Sequence, residues 1–319
     1  MKPGLANWVG SKKAMSGSRN GLMAALALAA APFFYACGFT PARAQDSGQN
    51  FISTAFNEIE TKYIFGFTEG SGIGLQGEKE VSTETVGRFG KRDGRYAATE
   101  TKLEYEFTPS QFFQIELGGL VASHNIKNVM DLNNRNAFEF SGLFGEVRYL
   151  FLERGPKSPI SGTISFEPNW RRIDETNGNQ VTNYEFETKL ALDMELIENR
   201  VYLGFNAIYE PEVTHSLNEA MTRESTLGLS GAISFRPLSP LTVGAEVGYF
   251  RHYDGIAFNQ FTGEAFFVGP TMFLKLSPKS FMTAAWATQV RGHTVGDPSR
   301  LELDEFSRQK GKLKFAYEF

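Results

Sequence analysis

The chain has little with which to staple itself or hold a transition metal. It has one cysteine, Cys37, and four histidines in 319 residues, which excludes a disulfide scaffold and a cysteine-rich zinc module. Positive charge is not in excess. The net charge of −4 and pI near 5.7 argue against a nucleic-acid partner. Beyond residue 39 no segment approaches 18 consecutive apolar residues, so a helical membrane span is excluded there. Proline is scarce at 13, whereas phenylalanine reaches 29 and glycine 32. With 41% hydrophobic and 21% charged residues, the chain is neither disordered nor a polytopic helical membrane protein.

The first 44 residues read as an address. Lys2, Lys12, Lys13 and Arg19 precede an uncharged run from Gly21 to Phe39, and Ala42-Arg43-Ala44 closes it. Basic residues, an apolar stretch and an Ala-x-Ala site make a cleaved secretory signal. An uncleaved anchor is the alternative reading, and a lipoprotein cysteine at Cys37 fits less well. Cleavage leaves 27 basic and 36 acidic residues, a net −9, and no cysteine. Residues 45–61 are expected to form a short periplasmic segment or a small plug, with Phe51, Ala55, Phe56 and Ile59 on one side of a short helix.

The chain ends Lys312-Leu313-Lys314-Phe315-Ala316-Tyr317-Glu318-Phe319. Leu313, Phe315, Tyr317 and Phe319 alternate with more polar residues, which gives a strand with one oily and one wet face. Behind an export signal, this terminus resembles the C-terminal insertion signal of bacterial outer-membrane β-barrels. That resemblance implies barrel-assembly machinery, outer-membrane lipid and lipopolysaccharide as partners.

Twelve alternating segments follow from the same periodicity, at about 62–75, 95–107, 111–124, 136–152, 160–172, 181–196, 200–210, 223–236, 241–252, 263–276, 281–293 and 302–319. Short turns near 108–110, 155–159, 198–199, 237–240 and 277–280 alternate with longer polar connections. Tight periplasmic turns and longer outer loops have this arrangement. The expected fold is therefore an all-β, twelve-stranded antiparallel up-and-down transmembrane barrel over 62–319, in the outer membrane of a Gram-negative bacterium. Tyr105, Phe107, Phe113, Tyr149, Phe151, Phe235, Phe281, Tyr317 and Phe319 lie near the short turns and read as an aromatic girdle. Pro168 and Pro270 fall inside segments and predict bulges or early strand ends.

If the oily faces meet lipid, the charged faces meet the lumen. The candidate lumenal residues are Glu100, Lys102, Glu104, Glu146, Arg148, Glu167, Arg171, Glu185, Glu187 and Lys189. Glu106, Glu116, Asp193, Glu210, Glu246, Lys275, Arg291, Lys312 and Lys314 share that side. Glu146, Glu167, Glu185 and Glu187 are expected to pair with Arg148, Arg171 and Lys189 across strands. Such a ladder either sets the selectivity of a pore or fills a modest barrel.

No catalytic, metal or cofactor site emerges. His124, His215, His252 and His293 have no serine at same-face spacing, and none belongs to a metal-ligand pattern; they read as rim residues. Gly72-Ile73-Gly74-Leu75-Gln76-Gly77 matches GxGxxG, but no helix follows to make a nucleotide site. Its glycines are expected to thin the wall of the first segment.

Leu143-Phe144-Gly145-Glu146-Val147-Arg148-Tyr149, Glu167-Pro168-Asn169-Trp170-Arg171-Arg172, Val268-Gly269-Pro270-Thr271 and Thr283-Ala284-Ala285-Trp286 resemble a loosely defined group of Gram-negative outer-membrane transporters near the phenol-degradation meta-pathway barrel family. The resemblance implies a non-enzymatic channel that passes or binds a small, unidentified solute. A closed structural or adhesive barrel acting through its outer loops is the alternative. A rim enzyme acting on lipid or lipopolysaccharide is a third reading.

Overall fold

The computed structural model describes residues 60–155, 158–216 and 220–319. The proposed signal peptide, and all of the 45–61 segment except Glu60 and Thr61, lie outside the described residues.

Strict alternation dominates the chain, and it produces strands. Among the described residues they are β1 (Lys79–Phe89), β2 (Arg95–Ser110), β3 (Phe113–Lys127), β4 (Arg135–Leu152), β5 (Ile160–Ile173), β6 (Gln180–Ile197), β7 (Val201–Ser216), β8 (Thr222–Leu238), β9 (Leu241–Asp254), β10 (Gln260–Ser277), β11 (Ser280–Thr294) and β12 (Gln309–Glu318). Each pairs antiparallel with its sequence neighbours, and β12 returns to β1, closing the barrel. Closure satisfies the backbone of every strand without leaving an edge, which a lipid environment demands.

The faces are inverted relative to a soluble sheet. Leu103, Leu117, Leu143, Phe166 and Leu313 are exposed, whereas Glu100, Glu116, Arg148, Arg171 and Lys314 are buried. Along β2 the inward residues Glu100, Glu104 and Glu106 alternate with the outward Leu103 and Tyr105. Leu190 lies near the middle of β6, between Ile164 and Ala207 on the same face. Leu190→Arg is expected to destabilise the barrel by about 2–4 kcal/mol, as read from chemical unfolding in lipid. A neutral result would reverse the assignment of faces.

The first segment departs from the sequence reading. Residues 62–75 form no strand: Thr61–Tyr63 make one 3-10 turn and the chain continues irregularly to β1 at Lys79. The stretch between that segment and the one at 95–107, expected to be a polar connection, contains β1. The glycines there do not thin a wall. Gly66 has φ +93°, and a Cβ on Gly70 would lie 2.1 Å from the Thr61 carbonyl oxygen. They bend the segment back on itself.

Phe281 also leaves its expected place. It faces inward, 4.7 Å from the Tyr63 ring, whereas Phe113 and Tyr149 stack outside at 4.9 Å and Tyr317 and Phe319 are exposed. Arg291 is exposed because a register shift between Phe266 and Phe267 sets it opposite the outward Phe266. Pro168 and Pro270 neither end their strands nor shift the register. The ladder skips from Phe144↔Asn169 to Val147↔Phe166 beside Pro168, and from Val268↔Thr288 to Thr271↔Ala285 beside Pro270. The missing proline N–H costs a local rung only.

Candidate functional site

The lumen is occupied by the chain's own residues 60–72, which enter from the end where β1 begins and β12 finishes. Every strand meets this plug. Lys62 is the most buried charge of the plug. Its ammonium donates to Glu106 at 2.8 Å on β2, to Gln114 at 2.9 Å on β3, and to Glu116. The Tyr63 hydroxyl donates to Glu106 at 2.8 Å and lies 3.4 Å from Glu80 on β1. Lys314 of β12 stands 4.6 Å over the Tyr63 ring.

An apolar knot surrounds the turn. Tyr63, Ile64 and Phe65 pack with Tyr202, Ala232, Phe273, Phe281 and Ala316, from β7, β8, β10, β11 and β12. Beyond it the plug is polar again. The backbone N–H groups of Phe67 and Thr68 both donate to Glu246 of β9 at 2.9 Å. Thr68 Oγ1 meets Ser230 Oγ of β8 at 3.0 Å. Asn206 of β7 accepts from the Glu69 N–H at 2.8 Å and donates to its carbonyl at 2.7 Å. The Glu69 carboxylate takes Arg148 of β4 at 2.6 Å and Lys189 of β6 at 2.7 Å. Ser71 donates its N–H and hydroxyl to Asp193 at 2.6 and 2.7 Å, and Thr163 of β5 caps its carbonyl at 2.5 Å. Gly66 fits because a Cβ there would lie 2.7 Å from the Thr271 methyl and 2.8 Å from Ala285.

The candidate lumenal residues assemble partly as the alternation predicts. Arg171 joins Glu100 at 3.0 Å and Glu185 at 2.8 Å. Lys189 holds Glu187 at 2.9 Å, and Arg148 lies 3.5 Å from Glu146. Glu167 departs from the expected pairing: its partner is Lys102 of β2, at 2.6 Å, reached across the lumen from β5. Lys314 takes Glu104 at 2.5 Å. Leu313, Phe315, Tyr317 and Phe319 all face outward and are exposed. Sequence reasoning missed Lys62 and Glu69 as lumenal charges, because it placed both in a wall strand. The glycines at 66, 70, 72 and 74, spaced too densely for a strand, were the available signal.

The other end of the lumen is narrowed by the connection 295–308. Glu302, fully buried, accepts the N–H groups of Asp304 and Glu305 at 3.2 Å and of Phe306 at 2.9 Å. This folds Phe306 against Phe250 and Phe267, and Lys310 stands 4.8 Å over both of those rings. In the connection after β5, burial alone would raise the Glu175 carboxyl. The guanidinium groups of Arg88 and Arg171 outweigh burial and hold it below the usual range; Arg88 reaches it at 2.8 Å. His124, near the C-terminal end of β3, is buried and faces inward, within 3.2 Å of the Glu175 carbonyl. A cavity of about 50 Å³ remains between plug and constriction, lined by Phe67, Ser230, Glu246, Phe250, Phe267 and Lys310 among others. That is room for a water or two.

A closed, even-stranded barrel with lipid-type residues outside and ion pairs inside is a barrel of the outer-membrane type. Residues 57–319 match the model of DUF6662, a family of unknown function, and the chain belongs to that family. No curated protein matches it. Among solved structures it is similar to the COG4313 outer membrane channel from Pseudomonas putida F1, with a TM-score of 0.55 and 8% identity over 77% of this chain and 97% of that one. The NanC porin (TM-score 0.46, 11% identity, 74% and 98% covered) and the KdgM porin (0.42, 12%, 75% and 99%) are more distant.

Proposed function

We propose that the protein is a porin-like channel of the Gram-negative outer membrane, held shut at rest by its own N-terminal segment. On this reading residues 1–44 are removed on export, the start of β1 and the end of β12 face the periplasm, and the longer connections face outward. The carrying observation is the chemistry of the seal. Apart from the knot around Tyr63, Ile64 and Phe65, the plug is held by hydroxyls, carboxylates and cations that water can replace. An exchangeable hydrogen bond contributes only about 0.5–1.5 kcal/mol net, so a polar seal can be released without unfolding the wall. The solute is small and its identity open. The completeness of the seal, which meets all twelve strands, favours the second reading, a permanently closed barrel.

A disulfide separates the two. Thr68 and Ser230 hydroxyls are 3.0 Å apart, and residues 45–319 contain no cysteine. A Thr68→Cys, Ser230→Cys chain starting at residue 45 is expected to be silent in a planar bilayer at every applied voltage when oxidised, and after reduction to be shut at low voltage but to open in conductance steps as the voltage is raised. Silence in both states, with conduction only after deletion of 60–76, would establish a static plug and defeat the gated reading.

A further inference from the structure

The outward face of β9, β10 and β11 carries a groove of about 710 Å³, at the end of the barrel opposite the start of β1. Its floor is Tyr249, Phe266 and Val290, and its rim holds Arg291, His293 and Arg300. Strict alternation along β11 would turn Arg291 into the lumen. A bulge at Val290 prevents this. The ladder steps from Phe266↔Arg291 to Phe267↔Gln289, so Val290 and Arg291 are both exposed while Phe267 and Gln289 are buried. Bulges re-aim side chains in this way. Arg300 comes from the connection after β11, held beside that strand where its carbonyl accepts the Gly292 N–H at 2.8 Å.

Two pieces of chain thus bring guanidinium groups to one groove on the lipid-facing wall. Among the described residues neither Arg291 nor Arg300 has an ion pair or a side-chain hydrogen bond. The acids nearby are engaged elsewhere. Glu264 accepts from the Tyr249 hydroxyl at 2.5 Å and pairs with Arg251 at 3.4 Å. Asp297 and Asp304, in the connection that carries Arg300, are both taken by Arg92. The groove therefore offers uncompensated positive charge above an apolar floor.

We propose that this groove binds a phosphorylated lipid of the outer leaflet, of the lipopolysaccharide class, with its phosphate on Arg291 and Arg300. The guanidinium fork matches phosphate oxygens two at a time. Cations on the lipid face of a barrel are tolerated near the interface and not at mid-membrane, and a lipid phosphate at that level supplies their missing partner. The acyl chains have a path. Val247 and Trp286 are exposed on the same outward face, nearer the periplasmic end of β9 and β11. Beside the groove Tyr253 and Phe261 stand 5.8 Å apart, with Arg251 4.5 Å over the Phe261 ring, an aromatic belt of the kind that sits at headgroup level. The apolar floor selects an amphiphile over a free anion. The site rests on the outer-membrane placement of the barrel and on its longer connections facing outward, and is independent of whether the plug ever opens.

The test uses the whole exported chain folded in a neutral detergent, titrated with bis-phosphorylated lipid A and read by native mass spectrometry. Reading the binding in detergent separates it from the conductance experiment, so either can fail alone. Lipid A stripped of its phosphates is expected to bind about tenfold or more weakly. The double variant Arg291→Gln, Arg300→Gln, shown to be folded on a heat-modifiability gel, should lose that preference. Arg172→Gln, at an exposed position near the outer end of β5, should keep it. Equal binding of the two lipids, an undiminished preference in the folded double variant, an equal loss in Arg172→Gln, or displacement of lipid A by an equal concentration of inorganic phosphate would overturn the proposal.

Discussion

Replacing Lys62 with methionine is expected to destabilise the barrel by about 3–5 kcal/mol, among the largest losses a single substitution in this chain should cause. The reason is a row of like charges. Glu106, Glu116 and Glu146 sit directly opposite one another on β2, β3 and β4, all facing inward and all buried. Lys62 supplies the ammonium for the first two, with side-chain exposures of 4% for the lysine and 4% and 7% for Glu106 and Glu116. Methionine keeps the volume and removes the charge. Two carboxylates would then face each other with no cation between them, and breaking a buried pair costs far more than an exposed pair ever contributes. Gln114, which donates to Glu106, supplies only a neutral hydrogen bond. Denaturant unfolding in detergent reads the loss. The double variant Lys62→Met, Glu116→Gln should recover a large part of it, because the repulsion goes with the second carboxylate. A Lys62→Met barrel within 1 kcal/mol of the parent would mean that the lumen is wet enough to screen the row, and that the plug is not the barrel's counter-ion.

That dependence bears on what the sequence could reveal. Alternation exposed β2 through β12 because each carries enough apolar residues on one face to set the period, as Leu103, Tyr105 and Phe107 do against Glu104 and Glu106. It misplaced β1 for the opposite reason. The lipid face of Lys79–Phe89 is Val81, Thr83, Thr85, Gly87 and Phe89, only weakly oily, while Tyr63, Phe65 and Phe67 alternate cleanly just upstream. Those three aromatics alternate as a strand would, yet Phe65 serves the knot inside the lumen. The inward position of the candidate charges was legible from the same period. Their partners were not. Arg171–Glu185 joins neighbouring strands, β5 and β6, and register can anticipate it. Lys102–Glu167 joins β2 to β5, and Glu69 joins the plug to β4 and β6. Those contacts exist only because the sheet closes and the chain re-enters it, and neither closure nor re-entry is written in a local period.

Removing the plug should change what passes as well as whether anything passes. A chain lacking residues 60–76 is expected to conduct, and to prefer cations several-fold over anions. The wall groups that hold the plug explain the sign. Glu80, Glu106, Glu116, Asp193 and Glu246 contact it through carboxylates, against Arg148 and Lys189 on the basic side. The plug offers Lys62 and the N–H groups of Phe67, Thr68 and Ser71 to those acids, and a single carboxylate, Glu69, to the bases. Taking it away removes Lys62 together with Glu60 and Glu69 but leaves those five wall acids facing Arg148 and Lys189, and the lumen at that level becomes acidic. Reversal potentials under a potassium chloride gradient measure the preference, and Glu106→Gln with Glu116→Gln in the same truncated chain should reduce it. Anion preference in the truncated barrel would place the limiting constriction at the other end, where Lys310 stands over Phe250 and Phe267, and would show that the plug level no longer governs passage once it is empty.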